Sequence, residues 1–91
     1  MRVECGFFGP FREPVGTKTV VVDTDADTVG ELLGELEARY AGLEGELRDG
    51  EGLAGDVVVT LNGRHVQHDE GTKTPLSEGD VLRVTTAVYG G

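Results

Sequence analysis

A chain of 91 residues has room for one domain with one modest core, burying about 60% of the surface its unfolded form exposes, and for no second domain. Seventeen acidic residues against 8 basic ones give a net charge of −9, which argues against nucleic acid and anionic membranes as partners. No apolar run approaches the roughly 18 residues that span a bilayer and the N-terminus lacks a secretory pattern, so the cytoplasm is the expected compartment. Apolar residues make up only 37%, while glycine occurs 15 times, which predicts few elements joined by many turns.

In chain order, residues 1–8 alternate. Val3, Cys5 and Phe7 point one way and Arg2, Glu4 and Phe8 the other, the pattern of a strand with one face on a core. Gly9-Pro10 and Pro14-Val15-Gly16 then break the chain, so Phe11-Arg12-Glu13 falls in a turn or wide loop. The β-branched run within residues 17–23 predicts a second strand, antiparallel to the first. Thr28 and Glu31 are spaced as a capping box, with Asp25 and Asp27 near the positive end of the helix dipole. Val29, Leu32, Leu33, Leu36 and Tyr40 follow as a narrow apolar stripe, which predicts one helix ending near Gly42. Glu35 and Arg39 are placed to pair on its outer flank. Gly30 and Gly34 lie off the stripe and read as surface glycines.

Residues 43–47 fit a short further helical turn, and residues 48–55 are rich in glycine and acid, as a mobile loop would be. A strand over residues 56–61 puts Val57, Val59 and Leu61 on one face. Asn62-Gly63 is a strong hairpin signal that returns the chain through residues 64–66. Residues 67–73 are polar loop, residues 74–80 make a turn, and residues 81–87 form the last strand, with Leu82, Val84 and Thr86 on one side. The order is a hairpin, a helix, then three strands. That is an α+β arrangement of β-grasp, ubiquitin-like type: one mixed sheet packed by a single face on one main helix. The last strand then lies near the middle of the sheet, parallel to the first.

The sequence ends Val88-Tyr89-Gly90-Gly91 directly after that strand. Residues 1–87 are therefore read as the domain and residues 88–91 as a flexible tail. Extended, four residues reach roughly 13–14 Å, and two glycines without Cβ atoms suit a narrow channel in another protein. A carboxylate is a poor electrophile, so such a tail reacts only after activation, most simply adenylation with ATP.

Other chemistry is weakly represented. The single cysteine, Cys5, excludes an internal disulfide and, within an apolar strand, reads as a buried inert thiol. His65 and His68 with Asp69 and Glu70 are metal-ligand types, but a loop without cysteine is better read as solvated, and no metal site is assigned. No phosphate-binding loop, nucleophile elbow or paired catalytic constellation is present, so no intrinsic enzyme activity is expected. The dispersed acidic excess with only two lysines, Lys18 and Lys73, resembles proteins of halophilic cells.

These segments together resemble the ubiquitin-like sulfur carriers of the MoaD/ThiS type and the related small archaeal modifier proteins. The similar pieces are Phe7-Phe8 with Phe11-Arg12-Glu13 and Gly16, the helix start Thr28-Val29-Gly30-Glu31-Leu32-Leu33, the turn Pro75-Leu76-Ser77-Glu78-Gly79-Asp80 with Val81, and the tail itself. The tail departs from the family in two ways. Thr86-Ala87 stands where Pro-Pro is common, and Tyr89 where a small residue is usual. The resemblance implies a carrier or modifier acted on by a partner rather than an enzyme. A ubiquitin-activating-type enzyme would adenylate Gly91, consuming ATP, with no cofactor stably bound to the carrier. Gly91 would then form a thiocarboxylate, supplying sulfur for molybdopterin synthesis or tRNA thiolation, an isopeptide bond to a lysine of a target protein, or both. The expected partners are that adenylating enzyme, a sulfur donor or the large subunit of molybdopterin synthase, and target-protein lysines; the free chain is expected to be a monomer. Val88, Tyr89 and Gly90 would be read as the tail, Phe8 and Phe11 are candidates for docking, and Lys18 and Lys73 are candidate acceptors of a further copy. The rival reading is a ubiquitin-like module that binds partners non-covalently and has an inert tail.

Overall fold

The computed structural model describes residues 1–89, leaving Gly90 and Gly91 outside the described residues. Strand β1 (Arg2–Phe7) pairs antiparallel with β2 (Thr19–Asp23), with Val3 opposite Val22 and Cys5 opposite Val20. The expected loop between them is more ordered than composition alone suggests: a 3₁₀ turn at Gly9–Phe11 runs into a four-residue helix, α1 (Arg12–Val15). Helix α2 (Val29–Arg39) starts at the capping box, where the Thr28 hydroxyl accepts from the Glu31 N–H at 3.3 Å and Glu31 Oε1 accepts from the Asp27 N–H at 2.8 Å. It ends with Arg39, three residues before Gly42.

Residues 48–55 are not the loop that their composition predicts. They form a small antiparallel ribbon of β3 (Arg48–Asp49) and β4 (Gly52–Leu53). Strands β5 (Val57–Leu61) and β6 (Arg64–His65) make the expected hairpin, turning at Asn62 (φ 53°) and Gly63 (φ 84°), both in the left-handed region that this tight turn requires. The last strand, β7 (Val81–Thr86), runs parallel to β1 and antiparallel to β5, giving the order β2-β1-β7-β5-β6. The mixed sheet carrying its last strand at the centre is the expected ubiquitin-like β-grasp layout.

One face of the sheet is dry. Val3, Cys5, Phe7, Val22, Val59, Leu82 and Val84 pack against Val29, Leu32, Leu33 and Leu36 of α2, all at most 1% exposed. Leu43 and Leu47, in the segment after the helix, are also fully buried.

Two features of α2 correct the sequence reading. Glu35 makes no ion pair with Arg39; its Oε2 accepts from the hydroxyl of Thr24 at 2.7 Å, a residue only 3% exposed that also accepts from the Ala26 N–H. Gly30 and Gly34 are not free surface positions. A Cβ on Gly30 would lie 2.9 Å from Thr72 Cβ and 3.0 Å from the Thr72 carbonyl oxygen, while one on Gly34 would lie 2.9 Å from the Arg48 guanidinium. Their missing side chains let the later segments close over the helix.

The Arg48 contact belongs to an anchor that hydrophobic periodicity does not reveal. Glu37 projects from α2 with its side chain 9% exposed, and its Oε2 accepts from the backbone N–H groups of Leu47 and Arg48 at 3.0 and 3.1 Å. Its Oε1 accepts from Arg48 Nε at 3.1 Å. Burial pushes this carboxyl up, but those donors outweigh it and hold the group below the usual carboxylate range.

Candidate functional site

The tail leaves from the central strand of the sheet. β7 is bonded to β1 on one side and β5 on the other, and the Ala87 N–H donates to the Asp56 carbonyl at 3.1 Å, closing the last rung. The chain does not then simply extend: Ala87–Tyr89 makes one 3₁₀ turn, across the expected boundary between domain and tail. Val88 is 83% exposed, so a large apolar side chain stands in solvent at the exit. The expected reacting end, Gly90-Gly91, lies outside the described residues.

Beside the exit lies the sheet face turned away from α2. Phe8 continues β1, its N–H donating to the Val84 carbonyl at 3.0 Å. The ring is half-buried and out of phase with Val3, Cys5 and Phe7, so it sits on this outer face. Gly6 makes room for it: a Cβ there would lie 3.3 Å from Phe8 Cε2 and 3.5 Å from Arg83 Cγ. The aromatic ring and the stem of Arg83 thus share one glycine as their floor. Val58, on β5 and paired with Thr85, is buried, whereas Val21 on β2 is 60% exposed.

The two phenylalanines expected to dock stand differently: Phe8 is half-buried on the outer sheet face, whereas Phe11 is not on that face. Phe11 is 6% exposed and belongs to the core, because the turn from Gly9 folds its ring inward instead of leaving it on a loop. It lines a shallow depression of about 320 Å³ together with Pro10, Asp56 and Thr86.

The two lysines stand in different settings. Lys18 places Nζ 5.3 Å from the centroid of Phe8, on the outer sheet face. Lys73 is exposed in a 3₁₀ turn, Gly71–Lys73, that packs on α2, on the helix side of the sheet. Neither makes an ion pair among the described residues.

Cys5 is 0% exposed, and burial pushes its thiol up to about 12, so almost no thiolate forms near neutrality. His65 and His68 stack on each other with ring centroids 5.5 Å apart, and no metal-holding group of three or more His, Cys, Asp or Glu side chains occurs among the described residues. Among those residues no helix is long and apolar enough to cross a membrane.

The family relationships agree with this geometry. The ThiS family model matches residues 5–91. Small archaeal modifier protein 3 of Haloferax volcanii is 48% identical over 94 residues, an alignment that spans all of both chains. The sulfur carrier protein CysO of Mycobacterium tuberculosis is 32% identical over 73 residues, covering 77% of this chain and 78% of CysO. A Haloferax volcanii protein solved in solution superposes with a TM-score of 0.85 at 44% identity, covering all of this chain and 87% of its own. A chain in the crystal structure of the Amycolatopsis orientalis BexX/CysO complex superposes with a TM-score of 0.80 at 28% identity, covering 98% of this chain and 99% of that one. A chain in the complex of subunits 1 and 2 of the Helicobacter pylori molybdopterin-converting factor does so with a TM-score of 0.63 at 26% identity, all of both chains being covered. The two curated relatives are modifier and carrier proteins rather than enzymes, and two of the similar solved chains come from complexes. With Val88 exposed just beyond a central strand and a family match over nearly its whole length, this chain belongs to the ThiS family of ubiquitin-like sulfur carriers and small modifiers.

Proposed function

We propose that this protein reacts through its own Gly91 carboxyl group, which is activated and then attacked by a nucleophile. A ubiquitin-activating-type enzyme joins the Gly91 carboxylate to the α-phosphate of ATP and releases pyrophosphate. The resulting acyl-adenylate is open to two nucleophiles. Attack by a sulfide-level sulfur expels AMP and leaves a thiocarboxylate, the form in which sulfur would pass to molybdopterin synthesis or tRNA thiolation. Attack by a lysine amine of a target protein expels AMP and leaves an isopeptide bond.

The observation that carries this reading is the position of β7. That strand is bonded on both sides and Val88 just beyond it is exposed, which supports a tail presented from a rigid element to a partner. Val88, Tyr89 and Gly90 would be the gripped segment, and Phe8 part of the docking surface. The complexes of CysO with BexX and of the two molybdopterin-converting factor subunits support binding to a protein partner.

Mass spectrometry of the protein recovered from its host tests the proposal. An intact mass in which sulfur replaces one oxygen at Gly91 assigns sulfur transfer, and Gly90-Gly91 remnants on lysines of other proteins assign conjugation. A plain carboxylate with no remnants, under sulfur-demanding and stressed growth alike, together with full function after deletion of Gly90 and Gly91, leaves the non-covalent binding module instead.

A further inference from the structure

The outer sheet face has a charge pattern unlike that of the chain as a whole. By register it holds Arg2, Glu4, Asp23 and Arg83, and Lys18 reaches over it, so cations match or exceed acids there although acids outnumber bases 17 to 8 overall. The charges are also sorted along the face. Both acids, Glu4 and Asp23, lie at the end where β7 begins, where Arg2 stands opposite Asp23 and the N-terminal ammonium is 3.7 Å from Asp23. Lys18 and Arg83 lie toward the end where the tail leaves, each beside Phe8: Lys18 over the ring and Arg83 sharing the Gly6 floor with it. Asp56 precedes β5 at that same end and pairs with neither cation.

A half-buried aromatic ring between two cations that pair with no carboxylate among the described residues is complementary to a surface with an apolar side chain ringed by Asp or Glu. Arg83 can meet a carboxylate with two parallel N–H donors, while Lys18 supplies a point charge held near the ring. Resting on the function argued above, we infer that the activating enzyme docks on the tail-proximal half of this face through an acidic, apolar-centred surface. Lys18 is then a docking cation, and acylation of Lys18, which removes its charge, weakens activation of Gly91. Lys73, across the sheet, has no such effect.

The test is the concentration dependence of Gly91 adenylation, followed by ATP–pyrophosphate exchange with the activating enzyme of the same cells. The variants are Lys18→Glu, Lys18→Gln, Lys18→Arg, Arg83→Gln and Lys73→Glu in the full chain, with thermal unfolding confirming that each is folded. Lys18→Glu should raise KM for this protein about tenfold with kcat unchanged, as loss of a close interfacial charge pair does. Lys18→Gln and Arg83→Gln should raise it less, and Lys18→Arg and Lys73→Glu should remain near the parent. The KM of the parent should also rise with salt more steeply than that of Lys18→Glu. A KM for Lys18→Glu and Arg83→Gln equal to the parent's, or one that falls, overturns the acidic docking surface while leaving the carrier function standing. Absence of exchange with the unaltered protein, using enzyme shown to adenylate another carrier, overturns the carrier function itself.

Discussion

Replacing Glu37 should detach the segment after α2 from the helix. The carboxylate accepts three hydrogen bonds, two from backbone N–H groups, and the Leu47 donor is buried. In Glu37→Ala that N–H loses its only partner among the described residues. An unsatisfied buried donor costs about 1–3 kcal/mol, and lost bonds to a charged acceptor raise the total to about 2–4 kcal/mol. The Arg48 side chain, 39% exposed, regains water and adds little. Alanine's higher helix propensity returns a few tenths of a kcal/mol. For a domain of this size the result is a fall in Tm of at least about 10 °C. Glu37→Gln retains an oxygen for the backbone donors and should lose about half as much.

Acid adds a second signature. The folded carboxyl lies below its ordinary value of 4.5, so its contribution is complete above that value and disappears as pH falls through the folded one. The gap in Tm between the parent and Glu37→Gln should be constant above about pH 5.5 and close under more acidic conditions. Thermal unfolding followed by circular dichroism from pH 3 to 7 measures both. A Glu37→Ala protein melting within about 4 °C of the parent at pH 7, equivalent to about 1 kcal/mol, refutes the anchor.

The two helix glycines should respond differently to alanine. Gly30→Ala drives a methyl into the Thr72 backbone and should destabilise by about 1–3 kcal/mol despite better helix propensity, whereas Gly34→Ala meets only the end of the Arg48 side chain and should stay within about 1 kcal/mol of the parent in urea unfolding. Asn62→Ala should cost about 1–2 kcal/mol in the same measurement, because it places a Cβ residue without side-chain support at φ 53° and removes bonds of 2.9 Å to Asp80 and to the Val81 N–H. Raising salt from the low millimolar range to about 1 M, where the Debye length is about 3 Å, should raise Tm as repulsion among the 17 acidic side chains is screened; a flat or falling Tm contradicts that charge argument.

The order of elements could be read from the sequence because each carries a local signal. The alternation of Val3, Cys5 and Phe7, the Thr28–Glu31 cap with its apolar stripe, and Asn62-Gly63 are all governed by interactions within a few residues, and each became the predicted element. A hairpin, one helix and three further strands then leave few ways to cover a single apolar face, so the sheet order followed as well. The tail was equally legible as a composition, since glycine following a β-branched run needs no tertiary context to be noticed.

What only the tertiary structure decided are matters of approach between distant segments. Residues 48–55 look mobile by composition, yet they are held in a ribbon next to a carboxylate one turn from the end of α2, a partnership with no sequence periodicity. Gly30 and Gly34 look like tolerated gaps until Thr72 and Arg48 arrive from elsewhere in the chain. Phe8 and Phe11, three residues apart and of one chemistry, part ways because a 3₁₀ turn folds one ring into the core and leaves the other on the sheet's outer face. The sorting of Lys18 and Arg83 toward the tail depends on strand register and on which face each side chain takes, and neither is fixed until the sheet is assembled.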